Sequence, residues 1–385
     1  MPVITCIEDL RQMHRRRAPK AFYEYVDAGS YTEGTYHANS ADLAAMKLRQ
    51  RVAVDVDQRS TATTMLGQPV TMPTSLAPVG LSGMQWVDGE ILAARAAERF
   101  GVPFTLSTMS ICSIEDVAES TNTPFWFQLY VMRDRDFIKR LIGRAKAAKC
   151  SALVLTLDLP LLGQRHKDLK NGMSVPPKLM LSNVLDLMAK PAWGLGMLGA
   201  KRKVFGNIAG HVKGADGIVS LSKWTASQFD PTLDWKTVDW VKNEWGGKLI
   251  LKGIQDVEDA KFAVAVGADA IVVSNHGGRQ LDGALSSIKA LPPIVDAVGD
   301  RLEVWMDGGI RSGQDLLKAL AMGARSTMIG RAWNFGLGAM GEAGVTAALD
   351  IIRRELDTSM ALCGVRTIGE IGRQLIVGPP ALARN

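Results

Sequence analysis

Cysteine is scarce in this 385-residue chain. Cys6, Cys112, Cys150 and Cys363 are scattered, with no C-x-x-C spacing, which argues against a disulfide framework and for a reduced, cytosolic protein. Long apolar runs are missing as well. No stretch approaches the roughly 18 residues a membrane-spanning helix needs. The opening MPVITCIEDLRQMHRRR has no apolar core, so no signal peptide is expected. Hydrophobic residues at 47% and charged residues at 22% exclude disorder, collagen and coiled coil. The length fits one large barrel-type domain or two average ones. We expect a single domain over 1–385, with a helical extension over 1–72 packed across the barrel's N-terminal side.

The charge excess is small, 45 basic against 39 acidic residues, but it is concentrated. Between 177 and 223 lie seven basic residues and two acidic ones. The same stretch carries LMLSNVLDLM and AWGLGMLGAKRKVF. Leu, Met and Trp mixed with Lys and Arg suit a segment lying on an anionic bilayer. A soluble insertion with one apolar side is the plainer alternative. Nucleic-acid binding is not expected, because no stacking or groove-reading module accompanies the charge.

Eight short apolar, β-branched runs recur along the chain, at 74–80, 104–108, 126–131, 152–158, 249–254, 270–275, 303–309 and 326–330. Helix-like patterns separate most of them. EILAARAAERFG closes on Gly101, and SGQDLLKALAMG opens on Ser312 as a candidate N-cap and closes on Gly323. Strands alternating with helices give a parallel α/β fold, and eight is the count that closes a TIM (β/α)8 barrel. The repeat is broken once, by about 90 residues between the fourth and fifth strands. A structureless loop of that length is improbable, so extra helices are expected in this insertion. An open doubly wound sheet is disfavoured, because no G-x-G-x-x-G follows the first strand.

In such a barrel the chemistry collects where the strands end. Those ends read Pro78-Val79-Gly80, Ser107, Gln128 with Tyr130, Thr156 with Asp158, Lys252, Ser274 with His276, Asp307-Gly308-Gly309, and Gly330-Arg331. All are polar, small or both, which marks this face as a site. Glycines and arginines after strands seven and eight, in MDGGIRSG and MIGRA, suit a phosphate of a substrate or of a cofactor such as FMN. His276, in SNHGGRQLDG, is one of five histidines and the one placed at a strand end. No partner stands at metal-ligand spacing from it, so a base is the stronger reading. Asp158 would cap a turn or orient His276. Lys252 would form a Schiff base or sit beside a developing anion. Arg165, Arg279 and Arg311 are candidate forks for carboxylate or phosphate.

SNHGGRQLDG, FQLYV, LTLDLPLLGQRHKDLKNGM, LKGI, MDGGIRSG and the N-terminal FYEYVDAGS resemble the FMN-dependent L-2-hydroxyacid oxidase and dehydrogenase family. The resemblance runs from about residue 5 to 375, with the motifs in order. APVGLSGM, PFTLST and WFQLYV look most like its respiratory, lactate-oxidising branch. The resemblance implies FMN across the top of the barrel. Pro78, Val79, Gly80, Ser107, Gln128, Thr156, Lys252 and Ser274 would contact its ring and ribityl chain. Asp307, Gly308, Gly309, Arg311, Gly330 and Arg331 would hold ribityl and phosphate. Tyr25, Tyr130, Arg165 and Arg279 would bind the 2-hydroxy acid, and His276, supported by Asp158, would be the base. Lys252 would then stabilise negative charge on the reduced ring.

Two departures matter. Met109 stands where glycolate oxidase carries tryptophan, which turns the expected substrate away from glycolate towards L-lactate, with mandelate or another bulky L-2-hydroxy acid as the alternative. Gly80 stands where the family's oxidases commonly have alanine, which points away from oxygen and towards a membrane quinone as acceptor. A peripheral enzyme on the cytoplasmic face of the inner membrane, docked through 177–223, is the expectation, and the family implies a homotetramer. A soluble, peroxide-forming oxidase, an FMN isomerase and a flavin-binding scaffold are the competing classes.

Overall fold

The computed structural model describes residues 3–173, 180–211, 224 and 227–378. Eight parallel strands form one sheet: β1 (Thr74–Leu76), β2 (Thr105–Ser107), β3 (Trp126–Tyr130), β4 (Ala152–Thr156), β5 (Lys248–Ile254), β6 (Ala270–Val273), β7 (Glu303–Met306) and β8 (Ser326–Ile329). Each pairs with its neighbour in sequence, and β8 pairs back to β1. A parallel bridge between Leu76 and Phe104 joins β1 to the start of β2 and closes the ring. This is the TIM barrel, with helices outside it.

Side chains alternate along each strand, and the two faces have different fates. Phe127, Leu129, Leu153, Leu155, Leu249, Leu251, Ile271 and Val273 face outward into the large core under the helices. Trp126, Ala152, Val154, Ile250, Ala270, Val272, Trp305 and Met328 face inward and fill the barrel. Trp126 and Trp305 stack across it with ring centroids 5.3 Å apart. Two residues further along each strand, the inward register reaches Gln128, Thr156, Lys252, Ser274, Asp307 and Gly330. The barrel is thus apolar at its base and polar at its top, for one geometric reason.

The chain before β1 does not simply pack across the N-terminal side, as expected from sequence. Its hairpin, Thr63–Met65 with Gln68–Val70, reaches the barrel's base, where Met65, Val70 and Leu66 join the inner cluster. The helices α1 (Ile7–Arg17), α2 (Lys20–Val26) and α3 (Gly34–Ala45) run along the flank, and the turn after α2 comes up to the C-terminal face. The reason is polar. Ser30 N–H donates to the Gly278 carbonyl and Tyr31 N–H to that of Gln164, tying this turn to the loops after β6 and β4.

The insertion between β4 and β5 holds the expected extra helices, at Leu181–Met188 and Pro191–Leu198. The first and last parts of the basic segment, with Lys178, Lys213 and Lys223, lie outside the described residues. Trp193 anchors the pair: its ring stacks on Phe22, and its Nε1 donates to the Met84 carbonyl at 2.9 Å. Leu181, Leu185, Met188, Leu195 and Leu198 are exposed. No helix among the described residues is long and apolar enough to cross a membrane.

Candidate active site

An open cavity sits on the C-terminal face of the barrel. Tyr25, Pro78, Val79, Gly80, Ser107, Tyr130, Thr156, Arg165, Lys252, His276, Arg279, Asp307, Gly308, Gly309, Arg311, Gly330 and Arg331 line it. The residues expected from the strand ends therefore converge. Gln128 and Ser274 lie fully buried beneath.

His276 and Asp158 meet directly, Nδ1 to Oδ1 at 2.7 Å, from the ends of β6 and β4. His276 has φ 57°, and Gly277 and Gly278 follow at 65° and 72°. Three successive left-handed residues turn the chain sharply. The non-glycine one costs about 1 kcal/mol or more, a strain held by surrounding contacts. Ser274 Oγ accepts from the His276 N–H at 3.0 Å. A Cβ at Gly278 would meet the Tyr36 backbone, and one at Gly277, already strained by its positive φ, would press on Arg331 Nη1 at 2.6 Å. Burial acts to raise the Asp158 carboxyl, but His276 and Lys252 outweigh it and hold it below the usual carboxylate range.

Lys252 is buried with Asp307, Nζ to Oδ2 at 2.9 Å, and also donates to Ser274 Oγ at 2.9 Å. Burial would lower its ammonium, but Asp307 and Asp158 outweigh that and raise it, so it stays charged. Paired with Asp307, the amine favours the reading of a fixed charge beside a developing anion over that of a Schiff-base nucleophile. The Ser274 oxygen accepts from both Lys252 Nζ and the His276 N–H. It braces both instead of pointing into the cavity.

Four arginines surround the cavity, and one of them has a carboxylate. Arg165 Nε donates to Asp168 Oδ2 at 2.5 Å. Arg279 donates through Nη1 to the carbonyls of Tyr25 and Ala28, at 2.7 and 3.0 Å. Arg331 donates to the carbonyls of Val26, Gly277 and Ala28, and Arg311 to that of Ile310. Among the described residues none of these three forms an ion pair. Burial pushes Arg331 down to about 9, and the neighbouring Arg279 and Arg311 charges add to it. Burial likewise lowers Arg279 and Arg311. Half-buried cations without anions are costly, and a ligand's negative charge is the natural remedy.

The remaining polar atoms fit FMN. Gln128 Oε1 accepts from Ser107 Oγ and Thr108 N–H, while its Nε2 has no protein partner. Thr156 Oγ1 and Asp307 Oδ1 are also buried and unpartnered. Donor and acceptor groups stranded at the barrel's top suit a flat heterocycle with a polyol tail, and Arg311 and Arg331 with Gly309 and Gly330 suit its phosphate.

Several lining residues had no sequence signal. Phe229 returns from the insertion, bridges Met132, and stands edge-on to Tyr130 at 6.0 Å. Leu159, Leu162 and Val26 line the cavity as ordinary apolar residues of loops. Asn39 and Asn275 exchange side-chain hydrogen bonds at 2.9 and 2.8 Å, pinning α3 to the loop after β6. A polar residue at the end of a strand run, Asn275 beside Ser274, was the available hint.

The fold and the cavity define a TIM barrel with a polar, arginine-rich site on its C-terminal face. Residues 14–378 match the family model for FMN-dependent dehydrogenase, and the chain belongs to that family, so FMN is its cofactor. The L-lactate dehydrogenase of Caulobacter vibrioides (strain NA1000 / CB15N) is 47% identical over 376 residues, 97% of this chain and 98% of the relative. That of Haemophilus influenzae (strain PittEE) is 46% identical, with coverage of 97% and 98%. Among solved structures, the monotopic membrane protein (S)-mandelate dehydrogenase superposes with a TM-score of 0.93 at 33% identity, over 98% of this chain and 100% of that one. A mandelate oxidase superposes at 0.83 with 34% identity, over 97% and 98%.

Proposed function

We propose that this protein oxidises an L-2-hydroxy acid, L-lactate foremost, to the 2-keto acid, and passes the electrons to a membrane quinone. The observation that carries the reading is the His276–Asp158 pair facing a cavity in which Arg279 lacks a carboxylate. The substrate's carboxylate supplies it, held between Arg165 and Arg279 with Tyr25 beside both guanidinium groups. Its Cα and hydroxyl are thereby fixed before His276. His276 Nδ1 is engaged by Asp158, which leaves Nε2 as the basic nitrogen. It takes the substrate proton, and the Asp158 carboxylate stabilises the imidazolium that results. Burial and the Asp158 charge raise the Tyr130 phenol, which stays protonated as a donor to the substrate oxygen. Bound FMN supplies the two-electron acceptor. Lys252 presents a fixed positive charge to it, and Gln128 and Thr156 offer hydrogen-bonding groups.

The choice of lactate rests on the two lactate dehydrogenases at 46–47% identity, against 33% for the mandelate enzyme. Quinone as acceptor and docking at the cytoplasmic face of the inner membrane rest on the exposed leucines of 181–198. Lys190, Lys201 and Lys203 stand in and beside that stretch. Anaerobic mixing with L-lactate, then L-mandelate, followed by flavin absorbance, tests the reading. Lactate bleaches the flavin, and a quinone analogue restores it faster than air. Bleaching by mandelate alone moves the substrate to aromatic acids. No bleaching by any 2-hydroxy acid, in protein that carries FMN, overturns the roles of His276, Arg165 and Arg279.

A further inference from the structure

The turn after α2 holds two of the site's arginines at once. Arg279 spends both hydrogens of Nη1 on the carbonyls of Tyr25 and Ala28. Its Nε and Nη2 are left to face a ligand. Arg331 donates Nε to Val26 and Nη2 to the same Ala28 carbonyl, at 2.9 and 2.8 Å. One oxygen is therefore shared by the substrate-side arginine and the phosphate-side arginine. Neither guanidinium has an ion-pair partner among the described residues, so these carbonyls set their aim.

Asp27 fixes the turn. Its carboxylate, buried at 5% exposure, accepts from Arg11 Nε and Nη2 on α1, from Tyr23 Oη on α2 and from Tyr36 Oη on α3. The distances lie between 2.7 and 3.0 Å. Lys167 Nζ caps the Asp27 carbonyl at 3.2 Å. Tyr36 also lies under Arg331, 4.5 Å from guanidinium carbon to ring centroid. Four donors from three helices meet on one side chain, flanked on both sides by the carbonyls that hold the arginines.

We propose that Asp27 is a positioning residue that aims Arg279 at the substrate carboxylate and Arg331 at the cofactor phosphate together, through the Tyr25–Ala28 carbonyls. The inference rests on the roles given to those two arginines above. Asp27 touches neither ligand. Asparagine in its place keeps the shape but turns an amide N–H towards donors, so the four-donor arrangement cannot persist.

The test is Asp27→Asn in the full chain. Apoprotein is titrated with FMN by quenching of flavin fluorescence, and KM and kcat for L-lactate are measured on FMN-saturated enzyme with an artificial acceptor. Kd for FMN and KM each rise about tenfold, the scale of one lost charge-assisted hydrogen bond, while kcat stays within about threefold. Tyr36→Phe keeps the ring and removes one donor. It takes one of the four donors from Asp27 and raises both the FMN Kd and KM, each by less than Asp27→Asn does. Should Asp27→Asn fail to fold, Tyr36→Phe and Arg11→Gln carry the same expectation of weakened FMN binding. A lowered melting temperature with both affinities at the wild-type value overturns the proposal, and so does a fall in kcat at constant KM. Arg279→Lys, run alongside, separates the levels. Unchanged KM in Arg279→Lys refutes the clamp itself. Raised KM there with unchanged KM in Asp27→Asn refutes Asp27 alone.

Discussion

Replacing Asp158 with asparagine isolates what one charge does for the base. The backbone around it is held independently, since Gln280 Nε2 donates to the Asp158 carbonyl at 2.8 Å and Leu157 N–H to that of Lys252. Asparagine Oδ1 can still accept from His276 Nδ1, so the ring stays in place, but the imidazolium formed after proton transfer loses its counter-charge. A hydrogen bond to a charged group is worth about 1.5–3 kcal/mol, which corresponds to roughly 10- to 150-fold in rate. We expect kcat to fall by about 100-fold and KM to change by less than about threefold, because the substrate arginines do not touch Asp158. Anaerobic stopped-flow bleaching of the flavin by L-lactate measures this step directly. A loss below about threefold, or one confined to KM, would refute the assignment of Asp158 as the support of the base. The acid side gives a second reading. The folded carboxyl lies below its ordinary value, so it stabilises the fold above about pH 4 and that share fades as pH drops through the lowered value. The asparagine variant lacks that fading share.

Lys252→Met leaves Asp307 buried and unpaired, and should cost about 3–5 kcal/mol in urea unfolding of the apoprotein. Adding Asp307→Asn should restore most of that loss, and a purely additive double variant would refute the pairing. His14 is buried between α1 and the helix Arg331–Met340, with Nε2 on Gln85 Oε1 at 2.8 Å, and burial holds its imidazole down at about 4. A folded value below the unfolded one means stability is full above about pH 6.5 and is lost as pH falls towards the folded value, about 2 kcal/mol of it by pH 5. His14→Gln should remove that pH 7-to-5 difference from the urea midpoint, and an unchanged difference would show that other groups carry it. Changing Leu181, Leu185, Leu195 and Leu198 together to serine should cut partitioning onto anionic vesicles by about 100-fold while leaving turnover with a soluble acceptor intact. Undiminished binding would assign membrane contact elsewhere.

The barrel was legible because its strands are short, apolar and regularly spaced, and because the inward register carries its polar residues to one end. Ser107, Gln128, Thr156, Lys252 and Asp307 could be picked out on that ground alone. His276 and Asp158 were legible as strand-end residues, though their meeting depends on the closed ring that brings β4 and β6 to the same face. The carbonyl claw at Tyr25–Ala28 was not legible. Backbone oxygens leave no mark in a sequence, and the contact joins residues some 250 positions apart. Resemblance, not pattern, pointed to Tyr25. Phe229 was hidden for a similar reason, since nothing local says that the return limb of a long insertion comes back to the cavity. Asp27 was not singled out within FYEYVDAGS, and its four donors come together only when three helices do.

The stacked tryptophans and the hairpin beneath them give the barrel a sealed floor. Acid and oxidant are then expected to share the cavity's mouth on the opposite face, one after the other. Turnover becomes an exchange of visitors: the keto acid departs before the electron acceptor arrives. Double-reciprocal plots at several acceptor concentrations should accordingly run parallel, and the two substrates should compete with each other when either is in excess.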